Sequence, residues 1–219
     1  MIAAWEAVAH AAGVGAGAAV LDLGCGDGAF CAFAARRGAA VHGLDAEPDA
    51  IAEALERVPG ADFRLGLMEY LPWPDASFDV VTAFNALQYA LDTEMALTEA
   101  SRVARPDGRI AVCKWGPPAE NEFFAFLLSI GAGGVREDML PVTDPVEDVI
   151  RAARLPVVAT GEVAAPIELA DDEALEVSLA RAGVVGAGAI GEAAPYRQAD
   201  GTYRFENRQR YWILRGGSR

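Results

Sequence analysis

The segment Val20-Leu21-Asp22-Leu23-Gly24-Cys25-Gly26-Asp27-Gly28 constrains the fold more than any other. A short, mostly apolar run, Ala19–Leu23, leads straight into glycines at 24, 26 and 28, and a helical pattern follows over 27–37. Such a run suits a strand buried on both faces. The glycines allow a tight turn and let a ligand approach where a Cβ would clash. A loop at the carboxyl end of a first strand is where open α/β sheets place ligands.

The alternation continues. Residues 40–44 read as a strand, 48–58 as a helix with Pro48 near its start, and 62–67 as a strand. Phe78–Phe84 is another strand, 94–104 a helix, and 109–115 a fifth strand after the turn Pro106-Asp107-Gly108. This order predicts an α/β, doubly wound, mostly parallel sheet with right-handed crossovers. Residues 3–12 read as an amphipathic helix with Trp5, Val8 and Ala12 on one face. Beyond Trp115 the alternation weakens: 121–130, 145–154 and 171–182 read as helical and Val157–Ala164 as extended. Residues 183–194 are rich in Gly and Ala and show no clear period, whereas 203–214 read as one long alternating strand. The chain is expected to form a single domain over 1–219. Its cofactor-binding core covers 1–115, a sheet edge and helical substrate cover 116–200, and the final strand 201–219.

Charge narrows the partners. With 32 acidic against 18 basic residues the net charge is −14, a surface that repels phosphate backbones and anionic membranes. Arg204, Arg208, Arg210 and Arg215 alternate with Tyr203, Phe205 and Tyr211, the pattern of a strand's solvent face. Cys25, Cys31 and Cys113 form no Cys-x-x-Cys pair, and no metal site is expected from them or from His10 and His42. An odd cysteine count, an N-terminus without a basic leader and no apolar run of ~18 residues predict a cytoplasmic chain with free thiols.

Asp45 ends the second strand seventeen positions after Gly28, near the ~20 at which an acidic residue meets a ribose. The loop also fits the relaxed dinucleotide pattern as Gly24-x-Gly26-x-x-Ala29. Taken alone it accommodates a nicotinamide dinucleotide or a nucleoside sulfonium. Asp22 favours the second, because an acid at that strand end suits a ligand carrying an ammonium and a sulfonium.

Further segments follow in order. They are Gly43-Leu44-Asp45, Leu71-Pro72-Trp73-Pro74-Asp75-Ala76-Ser77-Phe78-Asp79-Val80-Val81, Phe84-Asn85-Ala86-Leu87-Gln88-Tyr89, and Glu99-Ala100-Ser101-Arg102-Val103-Ala104-Arg105-Pro106-Asp107-Gly108-Arg109. With these the chain resembles the class I S-adenosylmethionine-dependent methyltransferases, in the small-molecule (type 11-like) group, over roughly residues 15–116. The resemblance implies a Rossmann-like sheet of seven strands, the last antiparallel, with a helical cover inserted near the C-terminus. It implies S-adenosylmethionine as cofactor and S-adenosylhomocysteine as product. Gly24, Cys25, Gly26 and Gly28 would line the methionine part, with Asp22 near its amino group. Asp45 would hold the ribose hydroxyls, Ala46 would pack on the adenine, and Asn85 would meet the methionine end through its backbone.

The chain departs from the family at 66–72, where Gly66-Leu67-Met68-Glu69-Tyr70-Leu71-Pro72 replaces Gly-Asp-x-x-x-Leu-Pro. Leu67 stands where the family's Asp contacts the adenine amine, and one such hydrogen bond is worth about 0.5–1.5 kcal/mol. The Met68 backbone is expected still to meet the ring, and Glu69 is a candidate substitute.

Methyl transfer is an in-line displacement that needs chiefly proximity, alignment and exclusion of water. A general base helps when the acceptor must lose a proton. His10 and Tyr89 are the candidates, and no catalytic residue is assigned. His42 is read as structural, Trp73 as packing, and Trp115, Glu120 and Asn121 as bordering the substrate. The acceptor is expected to be a small molecule methylated on oxygen, nitrogen or carbon, and the chain a monomer or a homodimer pairing through 116–135. Two other readings stand beside it: a methyltransferase-fold protein catalysing a non-methylation reaction such as a cyclisation, and a nicotinamide oxidoreductase.

Overall fold

The computed structural model describes residues 1–130, 146–184 and 188–217. Contacts divide the chain into two units. The larger takes Ile2–Lys114, Asp144–Glu162 and Arg210–Arg219; the smaller takes Met1, Trp115–Thr143 and Val163–Gln209. Along the chain come α1 (Ile2–Ala12), β1 (Ala19–Leu23), α2 (Ala29–Arg36), β2 (Ala40–Asp45), α3 (Pro48–Arg57), β3 (Asp62–Leu65) and β4 (Phe78–Phe84). Then follow α4 (Thr93–Val103), β5 (Ala104–Trp115), α5 (Glu122–Ser129), α6 (Val146–Ala152), β6 (Val157–Ala164) and β7 (Ile167–Leu169). The chain ends with α7 (Asp172–Arg181), α8 (Ala189–Glu192), β8 (Tyr203–Phe205) and β9 (Arg208–Arg215).

Seven strands form one sheet in the order β3-β2-β1-β4-β5-β9-β6. β1 pairs in parallel with β2 and β4, β2 with β3, and β4 with β5. β9 runs the other way. Gly116 N donates to Arg208 O while Gly216 N donates to Gly108 O, so β9 is antiparallel to β5. The pairs Ala165 N to Asn207 O and Arg215 N to Pro156 O set it antiparallel to β6 as well. The expected doubly wound sheet with an antiparallel last strand is therefore present.

Strand alternation sends side chains to opposite faces. Leu21, Leu23, Val81, Ile110 and Val112 join the core beneath α4 and α6, and Val20, Val41, Val80, Ala111 and Ile213 the core beneath α1 and α2. Each fully buried branched side chain contributes about 1.5–3 kcal/mol. The helix starts have local causes: Pro48 opens α3 with its fixed φ, and Asp92 accepts from Met95 N at the start of α4.

Two element boundaries differ from the sequence reading. β5 begins at Ala104, before the Pro106-Asp107-Gly108 turn, and its pairing jumps from Phe78↔Ala104 to Val80↔Arg109. The turn is thus a bulge within the strand rather than its origin. Residues 203–214 are not one strand but two, β8 and β9, in different sheets. Asn207 lies at the break, almost wholly buried, its Oδ1 accepting from Phe123 N and its Nδ2 donating to Phe205 O. Those bonds replace ladder pairing and redirect the chain, which alternation of residue types cannot reveal.

In the smaller unit β7 pairs antiparallel with β8, and Phe123, Phe126, Leu175, Leu179, Tyr203 and Phe205 form its core. Asn121 is buried and spends its side chain on Gly116 O, Pro117 O and Arg208 N, which makes it a loop brace. In the 116–135 pairing segment Leu128 is exposed, and 131–135 lie outside the described residues. Residues 185–187 of the unassigned Gly/Ala stretch lie outside them too. Arg204 pairs with Glu168 and Glu206, and Arg210 with Glu162, so these arginines are neutralised in place. No described helix is long and apolar enough to cross a membrane.

Candidate functional site

The carboxyl ends of β1, β2, β3 and β4 lie side by side in the sheet, and the loops that leave them carry the candidate cofactor residues. The first loop is folded by its own glycines. Gly24, Gly26 and Gly28 have φ of 66°, 52° and 76°, the left-handed region that side chains rarely enter. Gly24 N and Cys25 N both donate to Leu44 O, at 2.8 and 3.1 Å, which ties the loop to β2.

Asp45 completes that tie. Its Oδ2 accepts from Gly26 N at 2.8 Å and its Oδ1 from Glu47 N at 3.0 Å. Both carboxylate oxygens are thereby oriented by backbone, while Asp45 stays partly exposed and Ala46 beside it is exposed. Gly66 N donates to Asp45 O, bringing the start of the third loop to the same place.

Asp22 is the second acid and has the opposite environment. It is buried, and Thr82 Oγ1 on β4 donates to its Oδ1 at 2.6 Å. Burial pushes its carboxyl up to about 8, Thr82 opposes this, and the nearby Asp45 charge adds to it. Cys25 and Cys31 are buried, and desolvation raises both thiols well above the ordinary range, so neither is an activated nucleophile.

Two glycines test what the loop leaves room for. A Cβ on Gly24 would lie 2.4 Å from Ala86 Cβ, so this glycine is required by the β4 loop packed against it. A Cβ on Gly26 would meet nothing within 4 Å. The Cα face of Gly26 is therefore open, while its amide is held by Asp45.

Asn85, just past β4, also has a left-handed φ of 50°. Its N donates to Cys113 O at 2.7 Å and its O accepts from Gln88 Nε2 at 2.7 Å. Leu67 is exposed and Met68 half-buried on the loop after β3. Glu69 does not take Leu67's place: it is buried, with Oε1 accepting from Leu91 N and Asp92 N. That oxygen holds the loop after β4. Tyr89 is exposed on a single 3₁₀ turn, and His10 is exposed on α1. His42 packs edge-on against Trp73 and Phe78, which agrees with a structural role.

Sequence reasoning missed two supports. Thr82 carried a signal, as the polar residue inside the buried run Val80-Val81-Thr82-Ala83. Arg57 carried none. From the last turn of α3 it donates Nε to Asp27 O and Nη2 to Asp27 Oδ2, fixing the glycine loop from outside.

A family model described as a methyltransferase domain matches residues 21–112, a span holding Asp22, Asp45, Thr82 and Asn85. Over that span, less than half of its length, the chain is similar to the methyltransferase-domain family. The chain is 38% identical over 109 residues to a demethylmenaquinone methyltransferase of Tropheryma whipplei, across 48% of this chain and 45% of that protein. It therefore spans about half the length of the curated relatives it matches. A putative methyltransferase from Bacillus halodurans superposes with a TM-score of 0.72 at 15% identity, over 98% of this chain and 99% of that one. The cyclase SpnF superposes with a TM-score of 0.66 at 19% identity, over 99% and 81%. These likenesses show the fold. S-adenosylmethionine is the donor that the methyltransferase family implies.

Proposed function

We propose that this protein transfers the methyl group of S-adenosylmethionine to a small-molecule acceptor on oxygen, nitrogen or carbon, in the cytoplasm. The observation that carries the reading is Gly26 N bound to Asp45 Oδ2, at the rim of a loop whose base is the buried Asp22. When bound, the donor supplies a methyl on a positively charged sulfur that is already a good leaving group. The chain's residues then have positioning to do. Asp45, held by two amides, offers its carboxylate to the ribose hydroxyls. Asp22 lies where it would meet the amino group, and the fixed backbone of Asn85 would border the methionine end. Alignment of this kind supplies most of the acceleration that an in-line displacement needs. Tyr89 and His10 remain the candidate bases for an acceptor that must lose a proton.

A net charge of −14 disfavours nucleic acid and anionic membranes as partners and supports a small molecule. The Tropheryma relative, a demethylmenaquinone methyltransferase by name, belongs to the same class of reaction. Labelled methyl transfer from S-adenosylmethionine onto a panel of metabolites tests the proposal, with Asp45→Ala expected to lose at least about tenfold in cofactor affinity. Tight binding of S-adenosylhomocysteine with no turnover on any acceptor would favour the second reading, a non-methylating reaction on this fold. The exposed Leu67, in place of an adenine-binding acid, is the observation on that side.

A further inference from the structure

Thr82 is fully buried, and its hydroxyl has two acceptors in reach. Oγ1 lies 2.6 Å from Asp22 Oδ1 and 3.4 Å from Leu21 O. A hydroxyl carries one proton and two lone pairs, so two arrangements satisfy it. With Asp22 ionised, Thr82 donates to Oδ1. With Asp22 protonated, the acid donates to Oγ1 and the threonine proton turns to Leu21 O. Asp22 Oδ2 accepts no hydrogen bond among the described residues.

We infer that Asp22 and Thr82 form a proton-exchanging seat for the α-ammonium group of the donor, so that cofactor binding releases one proton from Asp22. The inference rests on the methyl-donor reading above. Asp22 pairs in register with Gly43 on β2 and Thr82 on β4, neither of which brings a cation. The face it shares with Val20 packs against α1, α2, α3, β3, β5 and β9, where the α3 cation Arg57 is already paired with Asp27 of the loop. Their buried thiols there, Cys31 and Cys113, are held neutral by desolvation, while Glu6 and His10 of α1 and Arg36 of α2 are exposed. The loop adds Cys25, also neutral, and β2 adds Asp45, whose charge repels a second carboxylate. Without a ligand the acid keeps its proton up to about 8.

An arriving ammonium supplies the missing cation. The O–H bond of Asp22 breaks, the proton passes to solvent, Thr82 swings back to donate to Oδ1, and the ammonium donates to Oδ2. No covalent bond of the ligand changes. Affinity should then rise about tenfold per pH unit below about pH 8 and fall again at higher pH, where the ligand's own amine loses its proton. Thr82 is a positioning residue, because its hydrogen bond sets where that turn occurs.

Calorimetry with S-adenosylhomocysteine in buffers of different ionisation heat counts the protons. Close to one should be released at about pH 6.5, and the net count should fall toward about pH 8 and change sign at higher pH. The ligand's own amino group can only take up a proton, the opposite sign. Methylthioadenosine, which lacks that group, should bind without release. Asp22→Asn should abolish the release, Thr82→Val should move the midpoint up, and Thr82→Ser should restore it. If Asp22→Asn does not fold, the Thr82 pair decides alone through the same midpoint. Wild-type binding with no proton released, or a midpoint that Thr82→Val leaves in place, overturns the seat while the methyl-donor reading stands. A folded chain that binds no S-adenosylhomocysteine overturns that reading itself.

Discussion

Thr82 and Asp22 are register partners on adjacent strands, and a 2.6 Å hydrogen bond joins their side chains. The pair sits at the base of the glycine loop, while Asp45 sits at its rim with both oxygens bound by amides. Two carboxylates thus serve one loop in unlike surroundings. Burial separates their chemistry: one is held neutral, the other is partly exposed to solvent.

Stability of the ligand-free chain should fall as pH rises from about 4 to about 8. Asp22 is raised from 3.8 to about 8, so in this window the folded chain holds a proton that the unfolded chain has released. The sign is destabilising above the unfolded value and complete above the folded one. Melting temperature at about pH 6 and about pH 9 measures it, and Asp22→Asn should lose most of the difference. Asp62, Asp79 and Glu99 are lowered by Arg64, Arg105 and Arg102, so their contribution is present above the unfolded value and disappears only in acid.

Alanine at Gly24 and at Gly26 should have different consequences. At Gly24 the new methyl lies 2.4 Å from Ala86 Cβ, and stability should fall by about 2–4 kcal/mol in urea titrations. At Gly26 only the left-handed φ is penalised, about 1 kcal/mol, because no atom lies within 4 Å. Cofactor affinity should nevertheless collapse there, since the methyl fills the ligand's space. Equal losses of stability in the two variants would contradict this division.

Leu67→Asp should strengthen binding of S-adenosylhomocysteine about threefold to tenfold. Leu67 is exposed, so the exchange removes little packing and returns an acceptor for an exocyclic amine. Calorimetric affinity at fixed pH reads the change, and unchanged or weaker binding would place the adenine elsewhere.

Arg102→Met should destabilise the fold by about 2–3 kcal/mol without altering the affinity of chain that remains folded. One guanidinium binds Glu99, Asp75, Trp73 O and Leu71 O, tying the 71–75 loop to α4. The urea midpoint and a cofactor titration at low denaturant separate the two effects.

Much of the molecule was legible from residue order. The strand–glycine–helix run placed the loop, and the strand run predicted the parallel order, because side-chain period and glycine conformation are local properties. Asp45 was legible as an acid at a strand end. The limit came where partners are distant in sequence. Residues 203–214 alternate as one strand, yet Asn207 binds Phe123 N and Phe205 O and breaks them into two. Glu69 had the right chemistry to replace an adenine-binding acid, but Leu91 N and Asp92 N occupy it.

The sequence by itself determined the doubly wound sheet, the glycine loop and the two acids beside it, because these follow from periodicity and from glycine's access to positive φ. Only the tertiary structure decided what each acid does. Asp22 and Asp45 are the same side chain, and one is neutralised by burial against Thr82 while the other is fixed by the Gly26 and Glu47 amides. Dielectric surroundings and hydrogen-bond partners come from neighbouring strands, and no reading of a single strand contains them.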